Sequence, residues 1–288
     1  YNGLETVQSG GGEHDCLRLI YAGGDRLFIP VENIDLLSRY GQQASDAALD
    51  RLGGVAWQAK KARIKGKIKE MADELIKIAA NRQVSKAEKL TVPTGTFDEF
   101  CARFQFSETD DQLDAISDVI DDLASGKPTD RLICGDVGFG KTEVALRAAF
   151  VACMSGYQVA LVTPTTLLAR QHGKLFEERF KSFPIQIGIL SRMTPAKNAA
   201  TIKQDIADGT CQMVIGTHAL LSKSVVFNNL GLLIVDEEQH FGVAQKEQLK
   251  KMRGDMHVLT LSATPIPRTL QMALSGVREM SLIATPPV

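Results

Sequence analysis

Eight residues constrain this chain more than any others. Gly135, Asp136, Val137, Gly138, Phe139, Gly140, Lys141 and Thr142 fit the pattern G-x-x-x-x-G-K-S/T, with an apolar run before them at 131–134 and a helical run after them at 143–152. Strand, glycine loop and helix is the order in which such a loop has a purpose. Glycines let successive N–H groups turn inward, and the start of the following helix adds partial positive charge, so the loop is suited to a polyphosphate. Lys141 is placed to reach the terminal phosphates and the Thr142 hydroxyl to ligate magnesium. The competing reading is a plain strand-to-helix turn with a solvated lysine.

A second apolar run, 232–235, ends in Asp236, Glu237 and Glu238. Carboxylates at that point sit on the carboxyl edge of a parallel sheet, where open α/β folds bind ligands. Asp236 is expected to hold magnesium through its water shell, and Glu237 to accept the proton of an attacking water. Further apolar runs at 158–163, 185–190, 212–216 and 258–262 alternate with helical patterns. The expected fold class is therefore α/β, a parallel sheet with helices on both faces.

Upstream, Gln112 offers an amide suited to an adenine edge and Phe106 an aromatic face to stack on the ring. Equally, Thr109 reads as a helix N-cap with Gln112 as its capping-box partner, and both readings stand. Thr165, Arg192 and Thr217 follow strand-like runs and place hydroxyls or a guanidinium where a nucleic-acid backbone could be held without reading bases. Ordinary helix capping is the alternative for each, and His218 reads as a partly buried, satisfied histidine. Ser262 and Thr264, after the 258–261 run, carry hydroxyls that could sense the acidic cluster.

Charge excludes some function classes and localises others. Lys plus Arg (33) nearly balance Asp plus Glu (34) over 288 residues, so any charged binding surface must be local. Residues 1–50 hold three basic against eight acidic side chains, and residues 51–90 eleven basic against four acidic. Within the acidic zone, runs at 16–22 and 26–31 flank Gly23, Gly24 and Asp25, a hairpin signal, with Pro30 at the end or edge of the second strand. Within the basic zone Ile64, Ile68, Met71, Leu75 and Ile78 recur at helical spacing, which predicts a long amphipathic helix over 57–82. That helix reads as a connector rather than a DNA-binding element, because its apolar stripe must pack somewhere. Five cysteines form no C-x-x-C pair, which points to the reducing cytoplasm, and no apolar stretch approaches the roughly 18 residues of a membrane span. The chain begins without methionine and ends after a Pro-Pro pair, as a piece of something longer would.

The strings GDVGFGKTEVALRAA, PTTLLARQH, IGTHALL, LLIVDEEQHFGV and LSATPIPRTL, in that order, resemble the first RecA-like motor lobe of superfamily 2 translocases. Together with NGLETV and YAGGDRLFIPVENIDLLSRYG upstream, the whole chain is similar to the family of bacterial transcription-repair coupling factors. The resemblance implies three parts: 1–42, a partial Tudor-like β-barrel that binds RNA polymerase; 43–95, a helical connector; and 96–288, the first ATP-binding lobe. It implies ATP and Mg²⁺ as cofactors, with Gly135, Gly138, Gly140, Lys141, Thr142, Asp236 and Glu237 at the nucleotide and Phe106 with Gln112 on its adenine side. Thr165, Arg192 and Thr217 match DNA-contact positions. The implied partners are double-stranded DNA, the RNA polymerase β subunit and excision-repair proteins, with no membrane. The second motor lobe and its arginine fingers are missing from these 288 residues, so little ATPase activity is expected from them alone. A RecG-like fork-remodelling helicase and a polymerase-binding module without catalysis are the alternatives.

Overall fold

The computed structural model describes residues 1–9, 12–37, 84–91, 95–242, 256–263 and 278–287, with isolated positions between them. The chain divides into two compact units, Tyr1–Glu74 and Leu75–Val288.

In the first unit β1 (Leu4–Ser9), β2 (Gly12–Ile20) and β3 (Arg26–Pro30) form an antiparallel sheet in that order. The expected hairpin is present: Gly23 and Gly24 adopt φ of 92° and 86°, and the Tyr21 N–H donates to the Asp25 carbonyl at 2.9 Å. Pro30 closes β3, which is an edge strand, and a 3-10 turn over Val31–Leu36 follows. Among the described residues of this module, the buried apolar side chains are Cys16 and Leu17. Among the described residues the module is a three-stranded sheet. The helix expected over 57–82 lies almost wholly outside the described residues, and the isolated positions 62, 63, 65, 66 and 80 are helical.

Among the described residues the second unit is built on a seven-stranded, wholly parallel sheet. Its strands are β4 (Asp130–Gly135), β5 (Gln158–Val162), β6 (Ile187–Leu190), β7 (Met213–Gly216), β8 (Leu230–Asp236), β9 (His257–Ser262) and β10 (Glu279–Ile283). They are ordered β10-β4-β9-β8-β5-β7-β6. One face packs on helices α1 (Thr96–Ala102), α2 (Asp110–Ala124), α3 (Lys141–Met154) and α4 (Thr166–Phe180) through Phe100, Phe150, Phe176 and Phe180. The other packs on α5 (Ala196–Asp208) and on a 3-10 turn over His218–Leu221. The sheet is thus covered on both faces.

Local chemistry explains where these elements start. The Thr109 hydroxyl accepts the Gln112 N–H at 3.3 Å while Gln112 Oε1 accepts the Thr109 N–H at 3.2 Å, a complete capping box worth about 1 kcal/mol. α3 is buried on nearly every side, so its polar residues must pair with protein: Glu143 accepts from Arg147 at 3.0 Å and from Arg179 at 2.8 Å, and Arg147 also holds Glu108. Burial nonetheless pushes the Glu143 carboxyl above its usual range against the pull of Arg179 and Arg147. No helix among the described residues is long and apolar enough to cross a membrane, and all five cysteines are free thiols.

Candidate nucleotide site

β4 ends at Gly135 and α3 begins at Lys141, so the glycine loop is the turn between an interior strand and a helix buried on nearly every side. Its glycines are required sterically. Gly138 and Gly140 have φ of 89° and 81°, and a Cβ on Gly135 would lie 2.8 Å from the Ile283 carbonyl oxygen of the neighbouring strand. The first N–H groups of α3 have no intrahelical acceptor, and they open onto this loop.

Lys141 Nζ donates to the carbonyl oxygens of Gly135 at 2.6 Å and Asp136 at 2.9 Å. Burial draws the ammonium below the usual lysine range, opposed by the attraction of Glu237 and Asp236, so the cation and the acidic pair act on one another across the carboxyl edge. Asp236, the last residue of β8, is buried, and its Oδ2 accepts from His172 Nε2 at 2.9 Å. Glu237 has φ 51° and ψ 55°, the one non-glycine residue in the left-handed region among the described residues. Its N–H donates to Leu261 O at 2.9 Å, its Oε1 accepts from the Ala263 N–H at 3.0 Å, and Gln239 Nε2 donates to its Oε2. Ser262 Oγ in turn donates to Gln239 Oε1 at 3.4 Å. The proposed conversation between the hydroxyl motif and the acids therefore runs through Gln239 and a main-chain amide, and Thr264 lies outside the described residues.

A cavity of about 730 Å³, the size of a small-molecule site, adjoins the loop and is lined by Phe104, Phe106, Gln112, Gly140, Thr142 and Arg179 among others. Phe106 is 64% exposed and meets Phe104 edge-on, which leaves a ring face open. Gln112 realises its capping role and also donates from Nε2 to Phe139 O at 2.9 Å, tying the start of α2 to the glycine loop. The Arg179 guanidinium, whose Nε and Nη1 have no hydrogen-bond partner, stands 4.5 Å from the Phe100 ring centroid and 5.5 Å from that of Phe104. These two rings occupy the place of polar partners.

The residues singled out for nucleic acid follow β5, β6 and β7, the other half of the same edge. Thr165 is exposed and caps α4, accepting from the Leu168 N–H at 3.2 Å, and Arg192 is exposed. Thr217 is buried with an unpartnered hydroxyl, so its side chain is not offered to solvent in this conformation. His218, expected to be partly buried, is exposed, because the 3-10 turn buries Leu220 and Leu221 and turns the histidine outward. His172 is the residue that pattern reading missed. Its place two helical turns beyond the Thr165 cap is visible in the sequence, but its partner Asp236, 64 positions away, is not.

A glycine loop closing on a helix start, with acidic residues at the same edge two strands away on a parallel sheet covered on both faces, defines a phosphate-loop lobe of the RecA-like class. Residues 109–273, more than half of the sequence, match the DEAD/DEAH box helicase model, and the chain belongs to that family. Residues 1–41 match the CarD-like/TRCF RID domain. The chain is similar to transcription-repair-coupling factors: 51% identical to that of Rickettsia conorii over 99% of this chain and 26% of the relative. It is 47% identical to that of Bacillus subtilis over 100% of this chain and 24% of the relative. It therefore spans about a quarter of the length of these relatives. Among solved structures, RecG bound to a three-way DNA junction is 35% identical with a TM-score of 0.62, over 72% of this chain and 28% of that one.

Proposed function

We propose that the chain is the polymerase-docking module and first ATP-binding lobe of a double-stranded DNA translocase that couples transcription to repair. The observation that carries this reading is the glycine loop between β4 and α3, with Lys141 at the helix start, on the same carboxyl edge of the sheet at which β8 ends in Asp236, in a chain whose likeness to the coupling factors extends through residues 1–41. In this reading the loop amides and Lys141 bind the phosphates of ATP, and Phe106 and Gln112 border its base. Magnesium suits the donors present. No cluster of three or more acidic, histidine or cysteine residues forms a metal cage among the described residues, but Thr142 stands in the first turn of α3 and Asp236 at the end of β8, on the same carboxyl edge of the sheet. One hydroxyl and one carboxylate, completed by phosphate oxygens and water, is how Mg²⁺ is ordinarily held beside a nucleotide. When bound, the ion would neutralise charge on the phosphates. Glu237 would orient the attacking water and accept its proton, its carboxylate being fixed by Ala263 and Gln239.

The 1–41 module would dock on the RNA polymerase β subunit, Thr165, Arg192 and Thr217 would border the DNA, and excision-repair proteins would be partners of the whole assembly in the cytoplasm. The three-part division at 1–42, 43–95 and 96–288 belongs to the same reading. A fork-remodelling motor is the second reading, supported by the RecG likeness, which does not account for the match at 1–41. The test is equilibrium binding of a fluorescent ATP analogue, abolished by Lys141→Ala, together with capture of the β subunit, weakened by Arg26→Ala in the β2–β3 hairpin. Fork-specific DNA binding without β-subunit capture would favour the second reading.

A further inference from the structure

We propose that His172 is a positioning residue that holds the Asp236 carboxylate for the metal and ties it to the helix bordering the nucleic-acid half of the edge. The inference deepens the nucleotide reading above and rests on it. α4 follows β5 and is capped by Thr165, and His172 lies two turns beyond the cap, where its Nε2 donates to Asp236 Oδ2 at 2.9 Å. Both side chains are nearly nine-tenths buried, 11% exposed each, so water competes little for the bond. The ring is held by Phe176, one turn further on, which meets it edge-on at 6.2 Å. With Oδ2 taken by the imidazole, Oδ1 is the oxygen that would be left to face a cation, and the hydrogen bond restrains rotation about the Cβ–Cγ bond. Partners of this kind, one bond behind the metal-facing atom, typically govern metal affinity by roughly 10- to 100-fold.

The strand order gives the contact a second consequence. β8, which ends in Asp236, lies between the phosphate-loop half of the sheet and the β5-β7-β6 half that carries Thr165, Arg192 and Thr217. α4 follows β5 yet reaches back to β8 through His172. A shift of this helix under a nucleic-acid backbone at its N-terminus would be passed to the metal-facing carboxylate through a single hydrogen bond.

The test compares two polar substitutions. Glutamine places an amide N–H close to where Nε2 stands, whereas asparagine is too short to reach it. Binding of a fluorescent ADP analogue is measured against Mg²⁺ concentration, with Lys141→Ala as control and thermal unfolding to verify the fold. We expect His172→Asn to raise the half-saturating Mg²⁺ about tenfold, to leave nucleotide binding in EDTA unchanged, and His172→Gln to stay close to wild type. An Asn variant with the wild-type Mg²⁺ response, beside a Lys141→Ala protein that no longer binds, overturns the inference alone. Nucleotide binding that survives Lys141→Ala takes down the nucleotide reading and this inference with it.

Discussion

A Cβ placed on Gly140 would lie 2.2 Å from Nε2 of Gln112, the amide that also donates to the Phe139 carbonyl. The phosphate loop and the cap of α2 are thus packed directly on one another, and the glycine is required twice, by this contact and by its φ of 81°. Gly140→Ala must distort one or the other. A cost of about 1–3 kcal/mol is expected from strain at a left-handed position together with overpacking, with loss of nucleotide-analogue binding. Gln112→Ala should restore part of the stability to the Gly140→Ala protein in urea unfolding, because it removes the contact but not the φ strain.

His257 gives the fold a pH dependence. It is buried between two partners: Nε2 donates to the Glu88 carbonyl at 3.1 Å, which leaves Nδ1 to accept from the Thr129 hydroxyl at 2.9 Å. Burial lowers its pKa below the ordinary 6.5, against the smaller effects of Glu88 and Asp122. Above about pH 6.5 both folded and unfolded chains carry neutral imidazole, and the contribution is fully present. As pH falls below that value the unfolded chain takes up the proton first, so stability declines until the folded pKa is passed. Urea midpoints at about pH 7.5 and 5.5 should therefore fall more in wild type than in His257→Gln; equal declines would remove the assignment.

Gln158 is a buried polar residue with a structural role. Its amide donates to Ile206 O at 2.8 Å and Cys211 O at 2.9 Å, and its Oε1 accepts the Asn229 N–H at 2.9 Å, so one side chain joins the end of α5, the approach to β7 and the approach to β8. Gln158→Leu keeps the volume and strands three main-chain groups. At about 1 kcal/mol per bond, and more for a group left unpaired, a loss of roughly 2–4 kcal/mol is expected. Chemical denaturation checks it, and the protein should still bind nucleotide analogue, since the phosphate loop lies elsewhere on the sheet.

The buried thiols should be inert in the native protein. Burial raises Cys153 far above the ordinary thiol range and Cys211 to about 11. Thiol reagents attack the thiolate, so peptide mapping after labelling at neutral pH should find both unmodified in native protein and both modified after unfolding. Labelling of Cys153 without unfolding would contradict the packing of α3 on the sheet.

What the sequence made legible follows from how each element is buried. Strands β4, β5, β7, β8 and β9 are covered on both faces, so they read as unbroken apolar runs, and the glycine loop and the acids at 236 and 237 fall at their ends. The edge strands carried weaker signals. β10 mixes exposed and buried residues and forms no unbroken apolar run, and β1, with the sequence LETVQS, is half polar. Gln112 showed both of its possible roles in sequence, and the capping box is the one its contacts realise. The link from His172 to Asp236 spans 64 positions and depends on strand order, which no local pattern encodes.

Glu237 separates binding from turnover. Its backbone is held in the left-handed region by the Leu261 carbonyl, and its carboxylate takes the Ala263 N–H and the Gln239 amide, so the side chain is aimed before any ligand arrives. Glu237→Gln preserves size and can still accept from Ala263, but a neutral amide cannot take up a proton. In the full-length protein this substitution should leave nucleotide-analogue affinity within about threefold while lowering kcat by roughly 10²- to 10⁴-fold, the range for loss of a positioned base. The pattern to look for is a fall in kcat at nearly constant Kd for the analogue. A parallel rise in Kd would instead mean that the carboxylate serves to bind, and would pass the role of proton acceptor to another group at the edge.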